Sequence, residues 1–365
     1  MVYQSLLKPL LFRLEAEKAH ELVYDFARKI SDIPLGRDLT RLIYGYTSPV
    51  LAQDLLGLHF PNPVGLAAGF DKNGYLPEIL EAAGFGFMEA GSITARASTG
   101  NARPRMFRLP DDHALVNRMG LNNDGARTVC RRLANRRCDI PVGINIAKTH
   151  DSKITGDAAI NDYVLSYREA QHTADYITLN ISCPNTADGR TFEEPNALDE
   201  LLSATRSRDD AGTTPTLVKF SSDLPRDELW RLVERCEDHR VNGYVAVNTT
   251  GSRMGLASDP ERLSQIGRGG LSGRPLFSRS LRTVGWIREI AGDKKPIIGV
   301  GGIDSFEAAQ AMLRAGADLL QIYTGLVYEG PGLVRRINRG LARYLREKSL
   351  NSPAKLRQNA TVQGP

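Results

Sequence analysis

The chain has 365 residues, 41% hydrophobic and 24% charged, with a net charge of +5 at pH 7. This is the composition of a folded globular protein, which excludes general disorder, and the lack of any run of five like charges speaks against a nucleic-acid footprint. Four cysteines without a C-x-x-C pair speak against a disulfide scaffold or a zinc site, and no stretch of 18 apolar residues predicts a membrane-spanning helix.

Residues 1–44 read as two short amphipathic helices joined near Arg13–Glu17, with Leu6, Leu7, Leu10, Leu11 and Leu14 at helical spacing. The segment lacks a small-residue cleavage site and so does not read as a signal peptide. Its seven basic and six acidic residues make no polybasic anchor. A cap packed on the main domain remains open beside a membrane-facing element. Ser31–Gly36 carries turn chemistry that ends the segment.

Eight short apolar runs follow, at residues 63–67, 85–90, 142–146, 176–181, 216–220, 244–248, 297–300 and 319–323. Helical patterns lie between them, as at 124–136, 160–174 and 226–238. Strands buried on both faces and alternating with helices mean parallel β/α units. A doubly wound sheet is the alternative, but eight units favour an α/β fold of the (β/α)8 TIM-barrel type with an N-terminal two-helix extension. The division is 1–44 for the extension, 45–348 for the barrel and 349–365 for a flexible tail without periodicity.

A barrel of this kind works at the C-terminal ends of its strands. Those ends hold Ala68–Gly74, Ser92, Asn145–Lys148, Asn180–Thr186, Lys219, Asn248–Thr250, Gly301–Gly302 and Tyr323–Gly325. The set is rich in amides, lysine and glycine and poor in carboxylates. Paired acids for glycoside hydrolysis, a zinc helix, a P-loop and a nucleophile elbow are all missing. Amides donate and accept at once, which suits a flat polar heterocycle, and lysines suit an anion. A turn explains each glycine alone, yet their place after strands 7 and 8 points to a phosphorylated cofactor. Cys183, just past a strand end, is either a small buried hydrophobe or a reactive thiol.

The motifs GLAAGFDKNG (65–74), GNARPRMFRL (100–109), NRMGLNN (117–123), GINIAK (143–148), NISCPNT (180–186), NTT (248–250), GGLSGRPL (269–276), IIGVGGI (297–303) and QIYTG (321–325) occur in this order. With them the chain resembles the dihydroorotate dehydrogenases from about Leu6 to Leu341. The helical extension resembles that of the membrane-associated, quinone-using class, including its His20 stretch, and Arg108 matches an arginine of the quinone tunnel. One position departs from that class: Cys183 stands where it has serine, a habit of the soluble classes.

The resemblance implies an FMN-dependent oxidation of dihydroorotate to orotate in pyrimidine biosynthesis, with quinone as acceptor. Cys183 is implied as the catalytic base. Substrate contacts are implied for Lys72, Asn117, Arg118, Met119, Gly120, Leu121, Asn180, Asn185, Asn248 and Thr249. FMN contacts are implied for Ala68, Gly69, Phe70, Asp71, Lys72, Ser92, Asn145, Asn180, Lys219, Val247, Gly273, Gly302, Tyr323 and Thr324, with His20 and Arg108 at the quinone tunnel and no metal. The implied partners are dihydroorotate and orotate, a quinone and the cytoplasmic side of the inner membrane as a peripheral protein, with no nucleic acid, as a monomer or weak homo-oligomer. The alternatives are a soluble fumarate-dependent enzyme, another FMN barrel acting on a pyrimidine, and a silent flavin-binding protein.

Overall fold

The computed structural model describes residues 3–182, 192–206 and 214–360. Eight parallel strands close a barrel in chain order: β1 Val64–Leu66, β2 Phe87–Ile93, β3 Val142–Ile146, β4 Tyr176–Asn180, β5 Thr216–Phe220, β6 Gly243–Ala246, β7 Ile297–Val300 and β8 Leu319–Ile322. Closure is the pairing of β8 with β1, Leu320 opposite Val64, which rules out the open sheet. Each apolar run read from the sequence is one of these strands, and every residue of β1, β3, β4, β6, β7 and β8 is buried.

The inward positions alternate along each strand and stack in layers. Phe87, Tyr176, Leu217, Val245, Ile298 and Leu319 fill the lower layer. An antiparallel hairpin, Gln53–Leu55 with Leu58–Phe60, closes the floor by setting Phe60 edge-on against Phe87 at 5.4 Å. Gly143 faces Tyr176 across the β3–β4 pair, where a Cβ would fall 2.1 Å from the tyrosine ring, so only glycine admits that side chain. Two residues up the strands, Glu89, Thr178, Lys219 and Gln321 replace apolar side chains with polar ones, all buried.

The extension is three helical pieces rather than two. Residues 3–11 form a first short helical piece, α1 spans Ala16–Ser31 and α2 spans Pro34–Tyr44. Pro34 does not stop the chain: it occupies the first turn of α2, where its missing N–H costs nothing. Most large apolar residues of the extension face outward; Leu6, Leu10, Phe26, Leu35, Leu39 and Leu42 are all more than half exposed. This inverts the usual placing of an amphipathic face.

A sheet absent from the sequence reading joins the mouth of the barrel: Met106–Leu109, Ala114–Asn117 and Gly270–Gly273 pair antiparallel. The tail also differs from expectation. Lys355–Ala360 is helical, with Leu356 buried and Arg357 bound to Asp318 at 2.6 Å. Asp318 further holds Arg288 at 2.5 Å and the Ile297 amide at 2.8 Å. Asp318→Ala takes the shared carboxylate from two largely buried guanidinium groups, leaving Arg357 with Asp293 at 3.4 Å and Arg288 with backbone carbonyls, and is expected to cost about 3 kcal/mol. A urea unfolding midpoint equal to that of the wild type would refute this reading.

Candidate active site

One cleft opens at the C-terminal ends of the strands, and its lining brings together most of the residues singled out in the sequence. Lys72, Asn117, Arg118, Met119, Gly120, Leu121, Asn180, Asn248 and Thr249 line it, as do Ala68, Gly69, Ser92, Lys219, Val247, Gly273, Gly302, Tyr323 and Thr324. Cys183 and Asn185 lie outside the described residues. Met106, Leu115, Ser272 and Gln321 also line the cleft and were missed by the sequence reading; the first three sit on the unforeseen sheet.

The strand register explains how distant residues meet. Asn180 pairs with Lys219 across β4 and β5, and Lys219 pairs with Val245 across β5 and β6. Both polar side chains therefore leave the barrel side by side. The Lys219 ammonium has no hydrogen-bond acceptor among the described residues, and burial lowers its pKa against the opposing effect of Glu89. A buried cation without an acceptor calls for an anionic or electron-rich partner.

Lys72 donates to the carbonyl of Gly69 at 2.7 Å. Burial is the main cause that brings its pKa down to about 8; Arg105 lowers it too, while Glu17, Asp71 and Glu21 oppose. Its ammonium is charged below that pH and available to a carboxylate. Asp71 does not line the cleft. It is fully buried and fixes the loop, accepting from the amides of Gly74 and Leu76, both at 2.8 Å, and from the Tyr24 hydroxyl of α1 at 2.7 Å. Phe70 also stands behind the lining, edge-on to His20 at 4.8 Å and to Tyr323 at 5.2 Å.

Asn145 is likewise absent from the lining. It is fully buried, accepts a short hydrogen bond from the Ser92 hydroxyl and donates to Glu89 at 2.8 Å. Asn180 donates to Ser92 at 3.2 Å and accepts from Ser182 at 2.8 Å; Ser182 in turn accepts from Asn248 at 2.8 Å. The amides thus form one connected chain rather than separate contacts. Lys148, a strand-end lysine, plays no part, since it is buried and donates to the carbonyl of Ile154 at 2.7 Å.

Gly301 and Gly302 have φ of 113° and 74°, and a Cβ at Gly302 would meet Phe277 at 2.5 Å. Packing therefore demands glycine here whatever the ligand, and the same turn leaves backbone along the cleft wall. Arg118 touches the cleft, but its guanidinium binds the carbonyls of Ile266, Arg268 and Pro104 and stacks over Phe107 at 4.7 Å. It shapes the loop.

The extension reaches the rear of this site. Glu17 and Arg105, both buried, pair at 2.8 Å, and Arg105 also binds the carbonyls of Thr99 at 2.7 Å and Asn101 at 2.9 Å. His20 packs between Phe70 and Tyr323, and burial, reinforced by Lys72, takes its pKa down to about 3, so its ring is neutral. Arg108 donates to the carbonyl of Leu11 at 3.0 Å and also to that of Leu14, and stacks on Phe12 at 4.7 Å. Both residues expected at a tunnel thus lie between the extension and the barrel, outside the cleft lining. Among the described residues no helix is long and apolar enough to cross a membrane, and no acid, histidine or cysteine cluster could hold a metal.

The family model described as dihydroorotate dehydrogenase matches residues 50–345. A protein of Roseiflexus sp. (strain RS-1) named dihydroorotate dehydrogenase (quinone) is 45% identical over 351 residues, covering 95% of this chain and 96% of its own. One of the same name from Natronomonas pharaonis is 44% identical, covering 94% and 95%. A crystal structure of DHODH in complex with ferulenol from Eimeria tenella superposes with a TM-score of 0.81 at 31% identity, covering 93% of this chain and 94% of that one. A match of this length and identity, on a barrel whose strand ends carry the lysines and amides described above, places the chain in the dihydroorotate dehydrogenase family.

Proposed function

We propose that this chain oxidises dihydroorotate to orotate with FMN as its resident flavin and passes the electrons to a quinone at a membrane surface. The observation that carries the reading is the cleft itself, where Lys72, Lys219 and the Asn117–Asn180–Asn248 amides converge over the barrel mouth. The donor set fits an FMN. Lys219 supplies a buried positive charge for the ring edge, Ser92 and Asn180 supply polar contacts, and Gly273, Gly302, Tyr323 and Thr324 supply the wall for a phosphate. Asn145 acts beneath this surface through Ser92, and Ala68, Gly69 and Val247 complete the wall with small or apolar groups.

When bound, FMN supplies a two-electron acceptor for hydride. The chain does the rest. Lys72 binds the substrate carboxylate, while Asn117, Asn180, Asn185, Asn248 and Thr249 orient the ring edge. Cys183 removes the proton: a thiol titrates near 8.5, so it needs less help than a serine hydroxyl. Lys219 would hold its buried positive charge against the ring edge of the flavin.

The quinone reading draws support from the outward apolar faces of the extension and from the packing of His20 and Arg108 between the extension and the barrel. An interfacial helix buries such a face in lipid without spanning it. The cysteine at 183 is what a fumarate-using enzyme would carry, so the test has two arms. Purified, flavin-loaded protein is mixed with dihydroorotate without oxygen, then with a short-chain quinone or with fumarate. The yellow colour is expected to bleach and to return with quinone only. Return with fumarate alone would overturn the quinone assignment, and no bleaching would overturn the whole reading.

A further inference from the structure

Glu89 has no place in the chemistry above, yet it sits at the centre of the barrel, fully buried, with four donors aimed at its carboxylate. Asn145 donates to Oε1 at 2.8 Å; Gln321, Thr178 and Tyr176 donate to Oε2 at 2.9, 3.0 and 3.4 Å. An ionised carboxylate only accepts. Asn145 must therefore turn its Nδ2 toward Glu89 and its Oδ1 toward the Ser92 hydroxyl, which donates to it. Ser92 then has only a lone pair to offer Asn180, which donates its Nδ2 at 3.2 Å. Asn180 is left to accept from the Ser182 hydroxyl at 2.8 Å, and Ser182 to accept from Asn248 Nδ2 at 2.8 Å. The Asn248 Oδ1 takes the Thr249 amide at 2.9 Å. Every link points the same way, from Thr249 at the mouth to Glu89 in the core.

We infer that Glu89 is a positioning residue: as the terminal acceptor it sets the direction of this chain, and so decides which edge of Asn180 and Asn248 is presented to the pyrimidine. An amide nitrogen has two hydrogens. Asn180 spends one within the chain and keeps the other available to the ligand, while Asn248 gives one to Ser182 at 2.8 Å and makes a longer contact to Asn180 Oδ1 at 3.4 Å, which a ligand carbonyl would compete for. Run backwards, the chain would put an amide oxygen where each of those donors now stands. A pyrimidine carbonyl oxygen facing it would meet a second acceptor instead of a hydrogen.

The inference rests on the ligand reading given above, and binding of orotate by the wild type tests that reading separately. The test of the inference is the ratio between variants, measured by calorimetric titration of the flavin-loaded protein with orotate. Glu89→Gln can donate as well as accept, so it releases the direction and is expected to weaken orotate binding about tenfold. Adding Asn145→Asp moves the acceptor-only group one link along. In that double variant the carboxylate at position 145 accepts from the amide at position 89 and from the Ser92 hydroxyl alike, so every link beyond Ser92 keeps its direction. Affinity is expected to return to within about threefold of the wild type. Unchanged affinity in Glu89→Gln overturns the inference, and so does a loss that the double variant fails to recover. Should Glu89→Gln not fold, Ser92→Ala cuts the same chain in its middle with the core carboxylate intact. It is expected to weaken orotate binding about tenfold; wild-type affinity there overturns the inference equally.

Discussion

Cys183→Ala is expected to keep its flavin and bind orotate, yet to reduce that flavin about 10²- to 10⁴-fold more slowly, the range over which a positioned general base acts. Anaerobic stopped-flow with dihydroorotate reads this step without the electron acceptor. A reductive rate near that of the wild type would show that the base lies elsewhere. Cys183→Ser adds a pH test. A hydroxyl is harder to ionise than a thiol, so the rising limb of the pH–rate profile should move to higher pH. If that limb stays in place, it does not report proton removal by residue 183.

Lys219→Met is expected to have the second large effect. The ammonium is buried, stands beside Asn180 and has no acceptor among the described residues. Methionine keeps much of the stem and removes the charge. Losing one preorganised electrostatic group of this kind costs about 3 kcal/mol, or roughly 10²-fold in the rate of flavin reduction. For a two-electron couple the same energy lowers the reduction potential by about 60 mV. Spectroelectrochemistry of the flavin-loaded variant reads that shift directly. A potential within about 10 mV of the wild type would remove Lys219 from the electrostatics of the ring.

The barrel was legible because its strands are buried on both faces, which leaves runs such as VGINI and YITLN without alternation. The strand-end residues were legible for a related reason: once eight strands are placed, their C-terminal ends are a short list. Glu89 was not legible. It stands inside FMEA, and only the register shows that it points into the barrel toward Asn145, Thr178 and Gln321. The three-stranded sheet at the barrel mouth was hidden because its strands are four residues long and carry Arg108, Asn117 and three glycine or serine positions, a poor strand signal. Pro34 reads as a stop from sequence alone, since the same residue suits a turn or a first helical turn. Asn145 and Asp71, which the resemblance implies at the cofactor, are buried behind the lining residues, and sequence alone does not separate a residue that lines a cleft from one that holds the lining.

The Glu17–Arg105 pair gives the join at residue 44 a different meaning. Arg105 gathers the carbonyls of Thr99 and Asn101 from one side and the carboxylate of α1 from the other. Without Glu17 the Arg105 guanidinium loses its carboxylate partner, and its lowering effect on the Lys72 pKa is no longer opposed by Glu17. The helix that offers an oily face to its surroundings therefore also backs the loops behind the cleft, through Glu17 on Arg105 and Tyr24 on Asp71. One helix thus carries both the outward apolar face and the carboxylate that counters Arg105 beside Lys72.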